Sequence, residues 1–281
     1  MPAKTIDQAA MWNGVAGQNW VEAQALLDAM FEPFERLLTD TVCARGGGAV
    51  LDVGCGTGAT VIALARDRQQ AGAGAVTGID ISGPMTALAR QRLADAGLAA
   101  DIICADAQDH PLGEARFDQI VSRFGVMFFR DPVAAFTRLR RAARPGGQLF
   151  AIAWRAPDEN PFMTVAERAA APLLPGLAGQ TPPPTGQFAF ADAGRVGSIL
   201  DTAGWTGIDI RPVDVACCLP ETALETYFTR LGPLGRVLSE LDADLAAHVV
   251  DAVRAGYTPF IDDGAVRFTA ACWTISAGAP Q

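Results

Sequence analysis

The segment Val50-Leu51-Asp52-Val53-Gly54-Cys55-Gly56-Thr57-Gly58 constrains the fold more tightly than any other part of the chain. An apolar run ends in an acid, and glycines follow at alternate positions. This is the pattern of a buried strand handing over to a tight turn and a helix. Glycine takes a positive φ there and lets a ligand approach where a Cβ would clash. The next helix is predicted to open near Thr57, with its free N–H groups directed at whatever lies on the loop. The loop therefore suits a ligand bearing a ribose, phosphate or carboxylate. Read as G-x-G-x-x-A (Gly54, Gly56, Ala59) it fits a relaxed dinucleotide loop. Read as D-x-G-x-G-x-G (Asp52, Gly54, Gly56, Gly58) it fits a nucleoside loop without phosphates, and both readings are open at this point. A P-loop is excluded because no Gly-Lys-Ser/Thr occurs. Lys4, in an N-terminal stretch expected to fray, is the only lysine, which excludes Schiff-base chemistry.

Strand-like and helix-like runs alternate from the loop onward. Strands are predicted at 49–53, 75–80, 101–105, 117–122 and 148–154, and helices at 59–68, 84–96 and 132–143. This alternation implies a parallel sheet covered by helices on both faces. Residues 8–45 carry Ala25, Leu26, Met30, Phe34, Leu37 and Leu38 at helical spacing. After Trp154 the character changes. Residues 155–190 are proline-rich, with Pro182-Pro183-Pro184 and one helix near 161–171. Helices follow at 192–203, 221–231 and 236–255, and strands at 208–215 and 266–275.

At 281 residues, half of them apolar, the chain suits one large domain or an α/β domain with a modest addition. A formal charge of −9 argues against a phosphate-tracking nucleic-acid surface and against charge-driven membrane binding. No apolar run approaches the roughly 18 residues of a spanning helix, and the first residues lack a hydrophobic signal segment. The six cysteines have no C-x-x-C pair, so no zinc or other metal site is expected. Reduced cysteines in a cytoplasmic protein are the expectation.

Further acids fall where a nucleoside would need them. Asp80 ends the second strand, 22 residues after Gly58, where a carboxylate can accept both ribose hydroxyls. Asp106 follows the third strand, where a carboxylate can accept from an adenine amino group. Asp52, Asp80, Asp106 and Ser122 would share the rim beyond the strand C-termini, where open α/β sheets bind ligands. For any one of these aspartates a helix cap or turn is the alternative reading.

With these residues in place, the chain resembles the class I S-adenosylmethionine-dependent methyltransferases, and most of all the group that includes the ubiquinone/menaquinone C-methyltransferases. The resemblance rests on 50–58, Gly78-Ile79-Asp80-Ile81-Ser82, Ala105-Asp106-Ala107, Phe117-Asp118-Gln119-Ile120-Val121-Ser122, and 139–149 with its Arg144-Pro145-Gly146-Gly147 turn. Together these cover about residues 46–155. Trp12-Asn13-Gly14, Gly17-Gln18-Asn19-Trp20 and Ala203-Gly204-Trp205 are similar to members of the same group. The resemblance implies a Rossmann-like, doubly wound, seven-stranded sheet, mostly parallel with an antiparallel last strand, plus helical cap elements. It implies S-adenosylmethionine as methyl donor and S-adenosylhomocysteine as product. Gly54, Cys55, Gly56, Asp80, Ile81, Met85, Asp106, Ala107 and Ser122 would line the cofactor site, with Asp52, Gly58 and Arg123 beside them. The organisation expected is an N-terminal helical lid (1–45), a cofactor-binding core (46–155), an insertion with a returning helix (156–204), and C-terminal strands carrying a helical acceptor-pocket insertion (205–281).

Methyl transfer from a sulfonium demands in-line positioning and exclusion of water, and a base only when the acceptor must lose a proton. No diagnostic catalytic residue is evident. His248 is one candidate base, although Leu241, Leu245, His248 and Ala252 share a helical stripe that reads equally as a core contact. Tyr227, with Phe228 and Tyr257, could wall an acceptor pocket or pack in the core. His110, in the loop after Asp106, reads as a cofactor-edge or surface residue. Arg123 and Arg155 each follow a strand and could hold an anionic acceptor or the cofactor carboxylate; salt bridges to neighbouring acids are the alternative. Trp12 and Trp20 suit a lid over the cofactor. A small-molecule acceptor, no nucleic acid, no membrane insertion and a monomer or homodimer are expected. The rival readings are an NAD-dependent oxidoreductase on the same loop and a non-catalytic nucleoside-binding module.

Overall fold

A computed structural model describes residues 7–174, 185–238 and 240–281. Lys4 and the Pro182-Pro183-Pro184 run lie outside the described residues. Strands β1 (Val50–Val53), β2 (Val76–Asp80), β3 (Asp101–Cys104), β4 (Phe117–Arg123) and β5 (Ala143–Trp154) are parallel. Between them run α4 (Ala59–Ala71), α5 (Gly83–Asp95) and α6 (Pro132–Ala142). Every residue of β1 and β2 is buried, as strands covered on both faces require.

The sheet order is β3-β2-β1-β4-β5-β8-β6, with β6 at Thr206–Pro220 and β8 at Ala265–Gly278. β8 runs antiparallel to both neighbours, and the two-residue β7 (Ile261–Asp262) pairs with its far end. The implied architecture, mostly parallel with an antiparallel last strand, is the one observed. β8 pairs with β5 only from Gly278 to Cys272, but with β6 all the way to Ala265. The hairpin therefore projects past the sheet as an arm. α9 (Leu224–Arg230), α10 (Pro233–Leu238) and α11 (Ala243–Gly256) lie between its strands in sequence. No helix among the described residues is long and apolar enough to cross a membrane.

Several boundaries differ from expectation for local reasons. The single helix expected at 236–255 is two, because the Asp242 carboxylate accepts from Leu245 N at 2.9 Å and starts a new helix there. Residues 8–45 form α1 (Gln8–Asn13), α2 (Val15–Glu22) and α3 (Gln24–Ala44), broken at Gly14 and Ala23. The Arg144–Gly147 turn lies within β5 as an irregularity. Gly146 takes φ +74 and the register shifts between Phe117 and Gln119, as a bulge does.

α3 lays Leu27, Met30, Phe31, Phe34, Leu38 and Val42 against the core. α8 (Ala193–Thr202) leads through Gly204 to Trp205, which is buried and donates from Nε1 to the Phe136 carbonyl at 3.0 Å. α7 (Pro161–Ala170) is pinned by Asn160, which stands in for a strand residue. Beyond the end of β5, its amide donates to Ala271 O and accepts from Ala271 N, both at 2.9 Å. Asn160→Ala would strand a buried N–H. It is expected to cost about 1–3 kcal/mol, read as a lower urea midpoint at constant slope; a loss under about 0.5 kcal/mol would contradict this pairing role.

Candidate functional site

Strand order reverses between β1 and β4, so the crevice of this sheet opens where these two strands end. The glycine loop occupies that point. Gly54, Gly56 and Gly58 take φ of +73, +53 and +86. Gly54 N and Cys55 N both donate to Ile79 O, at 2.8 and 3.2 Å, drawing the loop over the end of β2. A Cβ on Gly54 would lie 2.6 Å from the Gly125 Cα, so the loop and the turn after β4 touch backbone to backbone. Gly58 approaches Ala89 of α5 nearly as closely: a Cβ on it would lie 2.9 Å from the Ala89 Cβ. Gly56 differs: its nearest neighbour would be the Met85 sulfur at 3.8 Å. A Cβ there would make only an ordinary contact with that sulfur.

Asp80 braces the loop. One carboxylate oxygen accepts from Gly56 N at 2.8 Å and the other from Ser82 N at 2.9 Å. Burial raises its pKa, opposed by these backbone donors. Each oxygen keeps a lone pair for a further donor. Asp106 is half-buried and accepts from Gln108 N at 2.8 Å, which fixes the loop after β3. Of the other expected cofactor-site residues, Cys55, Met85 and Ala107 are buried and Ile81 is half-buried.

Ser122 requires a correction. It is wholly buried; its hydroxyl donates to Val53 O at 2.7 Å and accepts from Gly125 N at 3.1 Å. It ties β1 to the β4 turn, and its one donor is taken by Val53 O. Arg155 is likewise spent on protein partners: Glu159, Asp214 at 2.8 Å, and the face of Trp273 at 5.5 Å. His248 is exposed on α11, so it is not a core contact. Tyr227 donates to the Met163 sulfur at 3.2 Å and lies against Phe162. Its phenol is held protonated, because burial pushes its pKa up. His110 is half-buried beside Asp106.

The least expected part lies under the loop. Asp52 is buried, and its Oδ1 has no hydrogen-bond partner. Burial pushes its carboxyl up to about 7; the Arg123 charge opposes this and Asp80 adds to it. Arg123 reaches the Phe31 carbonyl at 3.4 Å. Burial lowers its pKa against the opposing charges of Asp28, Asp52 and Glu35. Arg92 joins the Asp28 carboxylate at 2.5 Å and the Thr57 carbonyl at 2.6 Å, clamping the loop to α3. Sequence reading missed Asp28, Glu35 and Arg92, since polar residues on a helix ordinarily read as a solvated face. It also missed Phe124, whose φ of +66 is rare outside glycine and marks stored strain. Phe124 stacks on Trp154 at 4.6 Å, with Phe31 and Phe34 closing an aromatic box.

The N-terminal helices cover the rim. Trp12 meets Trp20 at 5.7 Å and Phe128 at 5.3 Å, each edge to face. Two surface hollows, of about 260 Å³ at Arg140–Pro145 and about 590 Å³ at Cys217–Phe268, both lie away from this crevice.

Residues 50–147 match the family model described as a methyltransferase domain. The chain is 27% identical over 212 residues to the demethylmenaquinone methyltransferase of Renibacterium salmoninarum, covering 72% of this chain and 85% of that one. It is 30% identical over 214 residues to the nocamycin O-methyltransferase of Saccharothrix syringae, covering 76% and 64%. The fold is similar to that of phosphoethanolamine N-methyltransferase 2 from Haemonchus contortus, with a TM-score of 0.58 and 17% identity, over 100% of this chain and 62% of that one. Strand order, glycine loop and sequence relatives agree, and the chain belongs to the class I S-adenosylmethionine-dependent methyltransferases, near the ubiquinone/menaquinone C-methyltransferase group.

Proposed function

We propose that this enzyme methylates a small-molecule acceptor that enters over β4 and β5, and that Asp52 and Arg123 together receive the amino-acid end of S-adenosylmethionine. The observation that carries the proposal is the orphaned, buried Asp52 Oδ1 within electrostatic reach of Arg123, directly beneath the glycine loop. A buried carboxylate with an unpartnered oxygen and a half-buried guanidinium complement an α-ammonium and an α-carboxylate. The uncrowded side of Gly56, where a Cβ would meet only the Met85 sulfur at 3.8 Å, suits the chain that joins them to the nucleoside. Asp80 then faces the ribose and Asp106 the adenine. The ligand therefore runs from β3 over β2 to β1, and its sulfonium ends at the β1–β4 crevice.

Bound there, S-adenosylmethionine supplies an activated methyl group with a neutral thioether as leaving group. The chain's own residues orient and dry the site. Beyond the crevice the walls are Phe124, Trp154, Phe31 and Phe34, which exclude water and favour an apolar or aromatic acceptor. Relatives named for acting on demethylmenaquinone and nocamycin support a small molecule as acceptor. Tyr227, held protonated, can donate a hydrogen bond but not accept a proton.

Calorimetry with two ligands tests the assignment. Arg123→Ala should weaken S-adenosylhomocysteine binding by about tenfold or more, the worth of one charge-assisted hydrogen bond. It should leave 5′-methylthioadenosine, which lacks the amino-acid end, nearly unaffected. Equal losses for both ligands would refute the carboxylate role.

A further inference from the structure

Helices α1 and α2 touch both halves of the site, through different side chains. Asn13 donates to Ile81 O at 3.1 Å and accepts from Gly83 N at 2.8 Å. Ser82 Oγ donates to Trp12 O at 2.7 Å. These bonds grip the turn that follows Asp80. On α2, the Asn19 amide donates to the Arg230 carbonyl at 2.8 Å, and Glu22 pairs with the Arg230 guanidinium. Arg230 ends α9, the helix that carries Tyr227 and Phe228 against Phe162 and Tyr257.

The two helices pack tightly together. A Cβ on Gly17 would lie 2.0 Å from the Trp12 carbonyl and 3.0 Å from Ser82 Oγ, so α2 packs on α1 and on the Asp80 turn without slack. α9 spans seven residues, far too few for a helix to persist by itself. The last carbonyls of such a helix have no partner within it, and Asn19 supplies one. The Glu22–Arg230 pair is about half-exposed on both sides and contributes little. The hydrogen bond from Asn19 is the connection that matters.

We infer that the α1–α2 pair couples the two ligands: cofactor held at Asp80 settles this pair, and through Asn19 the pair orders α9 on the acceptor side. The inference rests on the cofactor reading above. By linkage, bound cofactor raises acceptor affinity, and bound acceptor raises cofactor affinity by the same factor. Asn19 is a positioning residue that touches neither ligand.

Hydrogen–deuterium exchange of the full chain tests this without knowledge of the acceptor, with S-adenosylhomocysteine as the probe. In the wild type, saturating ligand should slow exchange across 225–231 by about tenfold, alongside the glycine loop and 81–86. In Asn19→Ala and in the near-isosteric Asn19→Asp, which loses the donor, the loop and 81–86 should still be protected. Affinity should stay within about threefold, while the added protection of 225–231 disappears. Unchanged exchange across 225–231 in the ligand-bound wild type would overturn the coupling, and so would equal protection in both variants. Absence of protection anywhere, with no shift in melting temperature, would overturn the cofactor reading and the coupling with it.

Discussion

Replacing Asp52 by Asn is expected to stabilise the ligand-free protein at pH 8 and to weaken S-adenosylhomocysteine binding by at least tenfold. The Asp52 carboxyl holds its proton up to about pH 7, against about 3.9 for a free aspartate. Between those values the folded chain binds more protons than the unfolded chain, so stability falls as pH rises. The contribution is fully present below about pH 4 and is lost as pH passes through about 7. Ionising this carboxyl within the fold costs up to about 4 kcal/mol, and the unpaired amide N–H of Asn returns about 1–3 kcal/mol of that. The charges around the site remain: Arg123 on β4, Asp80 on β2, Asp28 and Glu35 on α3, and Arg92 on α5. The remaining gain at pH 8 is about 1–3 kcal/mol, or roughly 2–4 °C per kcal/mol. Thermal melts at pH 5 and pH 8 read it directly: the wild type should decline between them more steeply than Asp52→Asn. A variant that melts lower at both pH values, with unchanged ligand affinity, would show that Asp52 is a packing group and nothing more.

A second pair of substitutions separates backbone geometry from ligand space. Gly54→Ala combines a positive φ, costing about 1–2 kcal/mol, with a Cβ placed 2.6 Å from the Gly125 Cα. Backbone meets backbone there, and neither side can rotate away. The loop must shift, and a misplacement of the order of 1 Å costs about 10²-fold in ligand-dependent function. Gly54→Ala should therefore lose about 2–4 kcal/mol of stability and essentially all S-adenosylhomocysteine binding. At Gly56 the nearest atom is 3.8 Å away, so Gly56→Ala should cost only about 1 kcal/mol for its φ and yet lose binding as severely. Denaturation and calorimetry on both variants distinguish the cases. Normal binding by Gly56→Ala would show that the space above Gly56 is not used by the ligand.

The core was legible because its signals are local. Alternating apolar runs, glycines with positive φ and acids at strand ends each report on a few neighbouring residues, and the burial of β1 and β2 on both faces follows from their place in a helix-covered parallel sheet. Side-chain roles that depend on distant partners were not legible. Ser122 sits on the rim as expected, but its hydroxyl is taken by Val53, 69 residues earlier. Arg123 owes its setting to α3 acids that read as surface residues in sequence. His248 was misplaced because the stripe was counted from Leu241, across the break at Asp242. Within α11 the buried positions are Val249 and Val253, and His248 lies about 100° from the first and about 140° from the second. Phe124 carries no sequence sign of its positive φ, since nothing in an aromatic residue predicts that conformation.

The arm formed by β6 and β8 bears on how such an enzyme can diversify. Seven ladder pairs, from Asp214↔Ala271 to Pro220↔Ala265, lie beyond the last residue that β8 shares with β5. Helices inserted at the tip of that ladder can be exchanged, lengthened or shortened without disturbing the register at Gln148↔Gly278, and so without moving β4, β1 or the glycine loop. Within the sheet, inheritance of the donor site and invention of the acceptor site are thereby separated, and the contacts of Asn19 and Glu22 with Arg230 remain as the link between the two. One half of the chain can be held constant over many generations while the other is rewritten for new substrates.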